Sequence, residues 1–124
     1  MKIAKKALLS VVLISLMIWL GFVIHGYLGH RAAMAQWAPD KASMEAANDI
    51  AAGSIKIYMH GSFAAYAVGV DEPFMSLIKG LPTEDAGVGC VIDDLDVFEA
   101  QREYATRYNK LIVEHLQMRS ERNG

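Results

Sequence analysis

Cysteine is almost absent from the sequence, with Cys90 the only one among 124 residues. A single cysteine excludes an intrachain disulfide, and a zinc site would have to be built from histidines and carboxylates. The chain must therefore fold without a covalent cross-link of its own. A homodimer joined through Cys90 stays open, as does a buried thiol.

The sequence also lacks familiar motifs of catalysis and cofactor binding. It contains no G-x-S-x-G nucleophile elbow. The Gly87–Gly89 segment lacks the third glycine of a dinucleotide-binding loop, because Ile92 stands in that position. Asp93, Asp94 and Asp96 lack the central glycine and terminal glutamate of a calcium loop, so helix capping explains them better. We therefore predict no catalytic residue, no cofactor and no metal site.

Charge is missing from one long stretch near the N-terminus. Residues 7–24 carry no charged side chain, and the apolar stretch extends over residues 7–29. A helix of that length reaches roughly 34 Å, enough to cross a bilayer core of about 30 Å with its backbone hydrogen bonds satisfied. We predict a basic cytoplasmic N-terminus over residues 1–6, a transmembrane signal anchor over residues 7–29, and a helical extension or linker over residues 30–38.

Acidic residues are absent before Asp40, whereas Lys2, Lys5 and Lys6 precede the apolar stretch. Cationic flanks tend to stay in the cytoplasm. We therefore predict a single-pass protein of an inner (plasma) membrane, with a periplasmic or extracellular C-terminal domain. All 14 acidic residues and nine of the 12 basic ones follow residue 30, and the resulting charge of −5 disfavours nucleic acid as a partner.

A cleaved secretory signal is the alternative to an anchor. Its support is the A-x-A pattern of Ala33–Ala35, just before Gln36. The apolar run is longer than the usual signal core of about 7–15 residues, and the candidate cut lies well beyond Ile24. A retained anchor is the preferred interpretation, and both interpretations export the domain.

The first half of the exported part shows one helix and one strand. Asp40 is placed to cap a helix over residues 41–52, and Gly53 would end it because glycine tolerates positive φ. Residues 54–60 alternate between apolar and polar, which predicts a half-buried strand. The inward face would hold Ile55, Ile57 and Met59, and the outward face Lys56, Tyr58 and His60.

The middle of the chain is harder to interpret. Ala64–Val70 fits a short strand or an irregular loop, and Asp71–Pro73 resembles a helix start. Residues 80–87 are a loop by composition, and residues 88–92 are predicted to form a second clear strand.

The strongest soluble helix is predicted over residues 97–118, with Asp96 and Glu99 as a capping box. One apolar arc of this helix is predicted to hold the domain together. Its members are Tyr104, Tyr108, Leu111 and Ile112. Residues 39–118 would then form a small α+β domain, with a two- or three-stranded sheet covered by this helix and a flexible tail over residues 119–124.

Three residues are candidates for a partner or ligand surface: Tyr104, Tyr108 and His60. The two tyrosines could line a groove, although packing with their hydroxyls at the rim is preferred. His60 could pair with Cys90 as imidazole and thiolate, but Cys90 is in phase with apolar neighbours and fits a buried, inert thiol better.

The sequence favours a non-catalytic interaction or accessory module, held in a lipid bilayer and bound to a protein partner that the sequence does not identify. One alternative is a small exported hydrolase or redox enzyme using His60 or Cys90. Another is a secreted protein with its signal cleaved near Ala35.

Overall fold

A computed structural model describes residues 2–61, 66–86 and 94–124 of the chain. The chain divides into two compact units, one ending at Ala33 and the other beginning at Met34. The elements, in chain order, are α1 (Lys2–Gln36), α2 (Pro39–Ala52), β1 (Ile57–His60), β2 (Tyr66–Ala67), a 3-10 turn (Glu72–Phe74) leading into α3 (Met75–Ile78), β3 (Thr83–Asp85) and α4 (Leu95–Asn123).

The first helix is apolar and exposed over residues 7–24. None of its 35 residues is buried, and its most apolar window has a mean hydropathy of 2.7. Uncharged aliphatic side chains lie on all sides, a pattern found in helices surrounded by other apolar material. α1 is therefore a candidate membrane span or signal sequence, and it continues through most of the predicted extension over residues 30–38.

Helix α2 begins two residues earlier than predicted, at Pro39. Pro39 occupies its first position, where the missing N–H costs nothing, and Ala38 is the N-cap. The prediction that Asp40 caps the helix is wrong, because Asp40 already lies in the first turn, where its charge favours the positive helix end. Gly53 ends the helix with φ of 71°, as predicted.

The sheet has three strands in the order β2-β1-β3. β1 pairs antiparallel with β2, where Met59 opposes Ala67, and parallel with β3, where Ile57 opposes Thr83. The prediction of a loop over residues 80–87 is therefore wrong for Thr83–Asp85, which form β3. Its residues are all exposed and lack apolar alternation, so pairing with β1 makes the strand. The strand predicted over residues 88–92 lies outside the described residues.

Strand β1 is covered on both faces, not on one. Tyr58 and His60, predicted to face outward, are only 3% and 7% exposed. Their rings pack on α4, against Tyr108 and Phe98 respectively. Ile57 lies on the other side of the strand, toward α3. Because both faces of β1 are packed against other elements, side chains on both faces are buried. Alternation of apolar and polar residues therefore does not predict which side chains of this strand are exposed.

Helix α4 supplies the largest share of the core. Asp94, not Asp96, is the N-cap, and its carboxylate accepts hydrogen bonds from the N–H groups of Asp96 and Val97. The predicted capping box is therefore wrong, and the helix runs past Met118 to Asn123. The prediction for the packed arc is confirmed. Tyr104, Tyr108 and Ile112 belong to the buried cluster and Leu111 packs against it.

The second unit is thus a helix-rich α+β domain with a three-stranded sheet and a long C-terminal helix. α2 closes one side with small residues, since Ala42 and Ala46 are completely buried. Alanine allows close approach of helices but offers little apolar surface. The polar contacts of α2 consequently matter more than in a leucine-rich interface.

Candidate functional site

Glu45 on α2 is the centre of a cluster of polar and aromatic side chains. Its carboxylate accepts hydrogen bonds from Lys56 Nζ at 2.7 Å, from the Tyr58 hydroxyl at 3.0 and 3.2 Å, and from the Tyr104 hydroxyl. One side chain thus joins α2 to the sheet and to α4. The Glu45 side chain remains 26% exposed, so the cluster reaches the domain surface.

Lys56 is enclosed by negative charge and aromatic rings. Its ammonium group lies 2.7 Å from carboxylate oxygens of both Glu45 and Glu84 and 3.8 Å from Asp49. It also lies 5.3 Å from the ring centroid of Tyr58, within the range of a cation–π contact. Because Glu84 belongs to β3, this single cation ties the exposed edge strand to α2.

Asp49 forms the second carboxylate anchor of α2. It lies one helical turn after Glu45 and accepts a hydrogen bond of 2.6 Å from the Tyr108 hydroxyl. The Tyr108 ring is completely buried, so only its hydroxyl reaches the polar cluster. An aromatic body in the core with a polar tip at the rim is the usual compromise for tyrosine.

The aromatic rings of the cluster meet edge to face. Trp37 lies 5.3 Å from Tyr104 and 6.3 Å from Tyr58, and Tyr58 lies 4.9 Å from Tyr108 (centroid to centroid). All these contacts are T-shaped, the arrangement favoured by the ring quadrupoles. Trp37 is partly buried and packs against the core of the second unit.

The pKa values of the cluster are shifted so that its charges and hydrogen-bond donors persist at neutral pH. Partial burial raises the pKa of the Glu45 carboxyl, but hydrogen bonds from Lys56, Tyr104 and Tyr58 outweigh burial and lower it overall. Burial lowers the pKa of Lys56, yet the Glu45 and Glu84 carboxylates raise it well above its ordinary value. The cluster thus contains a fixed ion pair.

The tyrosines of the cluster are held neutral. Burial, followed by the hydrogen bond to the Glu45 carboxylate, raises the pKa of Tyr58 and of Tyr104. Burial and the hydrogen bond to Asp49 do the same for the pKa of Tyr108. Neutral hydroxyls donate to carboxylates, whereas a phenolate nucleophile or base would need a lowered pKa. The arrangement therefore suits rigid connection of α2 and disfavours proton transfer.

His60 is the one buried residue of the described chain with an unsatisfied side-chain atom, Nδ1. Its ring lies between Tyr66 and Phe98, at 5.6 and 5.3 Å between centroids. Its proposed partner, Cys90, falls outside the residues that the structure describes. No group of three or more metal-binding side chains occurs within residues 2–61, 66–86 and 94–124.

The structure brings Tyr104 and Tyr108 together in this cluster and leaves His60 on a different part of the α4 face. The partners of the two tyrosines, Glu45, Asp49, Lys56 and Tyr58, are not among the site residues predicted from the sequence. The sequence signal that could have indicated them is residue spacing, because two residues share a face when they are four apart on a helix or two apart along an extended chain. The pairs are Glu45 with Asp49, Lys56 with Tyr58, and Tyr104 with Tyr108.

Comparison with known proteins adds no assignment, since no family model, no curated protein and no solved structure matches this chain.

Proposed function

We propose that this chain is a bacterial-type, single-pass protein of the inner membrane, in which α1 is the anchor and the α+β domain is an exported, non-catalytic interaction module. The N-terminus is cytoplasmic and the domain is periplasmic or extracellular. The domain serves a protein partner as a binding or accessory unit.

The observation that carries the proposal is the exposure of α1. Soluble monomers rarely expose contiguous apolar patches larger than a few hundred Å². α1 exposes large apolar side chains through its entire middle, including Met17 at 72% and Phe22 at 74%. A lipid bilayer covers such a surface on all sides, and a helix satisfies its own backbone there. Lys2, Lys5 and Lys6 at one end support the orientation with that end in the cytoplasm.

The Glu45 cluster supports a binding module over an enzyme. Its carboxylates take the hydrogen bonds of its tyrosines, and its lysine is held between Glu45 and Glu84. Groups that satisfy one another hold a surface in shape, whereas a catalytic centre needs an acid, base or nucleophile directed at a substrate.

A reporter enzyme that folds only outside the cytosol, joined after Gly124, tests the orientation. We expect an active fusion. Activity only of a reporter restricted to the cytosol would contradict the proposal. Purification of the full chain in mild detergent tests the interaction. A partner should be retained by the wild type and by Arg102→Ala, on the exposed face of α4, and lost when Tyr108→Ala disrupts the core.

A cleaved signal predicts a different product. In that case the mature chain would begin near Gln36, and N-terminal sequencing of the exported protein would show it. Since Trp37 packs on Tyr104, the domain would keep this contact after such a cut, and only the anchoring would be lost.

A further inference from the structure

An apolar cleft of about 430 Å³ opens on the α3 side of the sheet, away from the Glu45 cluster. Its floor is formed by Ile57 and Ala67, which are only 1% and 4% exposed. Its remaining apolar walls come from β1 and from the segment between β2 and β3. They are Met59, Met75, Ile78 and Leu81.

The described residues that line the cleft are mainly aliphatic. Among the described residues that line the cleft, none is aromatic and none is acidic. The residues with polar side chains among them are Ser76, Thr83 and Lys79, and Lys79 is exposed to solvent. A flat, aromatic ligand would find no ring to stack on. A flexible aliphatic chain would find aliphatic and thioether walls that adapt to its shape.

We propose that this cleft binds a long-chain fatty acid, with the acyl chain against the aliphatic walls and the carboxylate beside Lys79. The volume lies near the lower end of the range for small-molecule pockets, about 300–1,000 Å³. This size suits one chain better than the two chains of a phospholipid. Among the described lining residues Lys79 is the one cation and none is a carboxylate, so Lys79 supplies the complementary charge for an anionic head group.

This inference rests on the proposed membrane location, because a bilayer is the source from which a domain beside it would draw fatty acids. It names a class of ligand for the proposed interaction module, which binds the fatty acid without chemically changing it. The binding involves no covalent step.

Photo-crosslinking of the full chain in phosphatidylcholine nanodiscs tests the proposal. The probe is a palmitic acid that carries a diazirine in its chain, and labelled peptides are mapped by mass spectrometry. We expect labelling of α1, from probe dissolved in the bilayer, and separate labelling within residues 75–83. Labelling of α1 without residues 75–83 overturns the fatty-acid site and leaves the anchor intact. Absence of α1 labelling overturns the anchor.

Two variants and their matched controls separate specific binding from surface adsorption. Ser76→Phe fills the mouth of the cleft from an exposed position and should abolish labelling of residues 75–83, while Ser43→Phe, exposed on α2, should not. Lys79→Glu should weaken that labelling roughly fivefold, the loss expected for one surface charge contact, whereas Arg102→Glu should leave it unchanged. Equal labelling in all four variants would overturn the site.

A second probe distinguishes the free acid from membrane lipid. The same photoreactive chain esterified in phosphatidylcholine should label α1 but not residues 75–83. Equal labelling of the cleft by the ester would overturn the assignment to a free fatty acid.

Discussion

The Asn109 side chain of α4 binds the backbone of Tyr58 in β1 as a neighbouring strand would. Its Oδ1 accepts a hydrogen bond from the Tyr58 N–H at 2.8 Å, and its Nδ2 donates to the carbonyls of Tyr58 at 2.9 Å and Val68 at 2.8 Å. Just beyond the end of β2 at Ala67, the Val68 N–H still donates to the Tyr58 carbonyl, and the carboxamide bridges the Tyr58 N–H and the Val68 carbonyl. Asn109 is completely buried, which makes these bonds costly to lose.

We expect Asn109→Asp to destabilise the domain by about 2–3 kcal/mol, although the side chain keeps its volume. A carboxylate cannot donate to the carbonyls of Tyr58 and Val68, and it would be buried beside them. Urea unfolding of the full chain in nanodiscs, followed by tyrosine fluorescence, measures the change. Lys110→Ala, at the next and exposed position, is the control and should stay within about 0.5 kcal/mol of wild type.

Tyr108→Ala should destabilise the domain by about 3–5 kcal/mol, because it removes a fully buried ring and its contact with Tyr58. Tyr108→Phe should cost only about 1–2 kcal/mol, since it removes the hydrogen bond to Asp49 and keeps the ring. Limited proteolysis should cut the alanine variant in the domain while membrane insertion stays intact. A protease-resistant Tyr108→Ala that no longer retains a partner would instead assign the tyrosine to a binding surface.

The lowered pKa of Glu45 predicts an acid-sensitive α2. A group whose folded pKa is depressed contributes stability above its unfolded value, here 4.5, and loses that contribution as the pH falls through the folded pKa. The stability difference between wild type and Glu45→Gln should therefore be largest near neutral pH and shrink below pH 4.5. Chemical unfolding over this pH range measures it. Glu103→Gln, in an exposed pair with Arg107, is the control and should stay within about 0.5 kcal/mol of wild type at neutral pH.

The stability of the domain is also expected to decrease at alkaline pH. The raised pKa values of Tyr58, Tyr104 and Tyr108 mean that the folded tyrosines keep their protons above the ordinary value of 10.0, where the unfolded chain loses them. Stability is therefore complete below pH 10 and should fall as the pH rises further. Spectrophotometric titration of tyrosine should show delayed ionisation coincident with unfolding. A normal ionisation curve in the folded protein would contradict the buried positions of the hydroxyls.

Gly69 and Gly53 form a matched pair for testing how closely α4 packs. Both have positive φ, at 68° and 71°, so alanine is strained at either position. Only at Gly69 would the new Cβ also meet a side chain, 2.6 Å from Thr106 Cγ2, and threonine in a helix has little freedom to move away. We expect Gly69→Ala to lower the midpoint of thermal unfolding more than Gly53→Ala. Thr106→Ser should partly rescue the first variant and leave the second unchanged.

The sequence predicted what periodicity controls and missed what depends on tertiary partners. The apolar stretch, the Gly53 stop and the packed arc of α4 follow from spacing along one element. β3 could not be predicted from Thr83–Asp85, since its strand character comes from pairing with β1. Alternation predicts an outward-facing Tyr58 because it assumes one covered face of the strand, whereas both faces of β1 are covered. Glu45 carried no motif, and its role emerged only where three elements converge.

The claim that α1 is a retained membrane anchor is tested most directly by extraction of native membranes with alkaline carbonate, which removes peripheral proteins. A matched variant carries Leu13→Arg and Met17→Arg in the middle of α1, each costing about 2.5–3.5 kcal/mol of insertion free energy. If α1 is a retained anchor, the wild type stays in the membrane pellet at full length and the double variant is lost from it. Release of the wild type into the supernatant, or recovery only of a product beginning near Gln36, would contradict it.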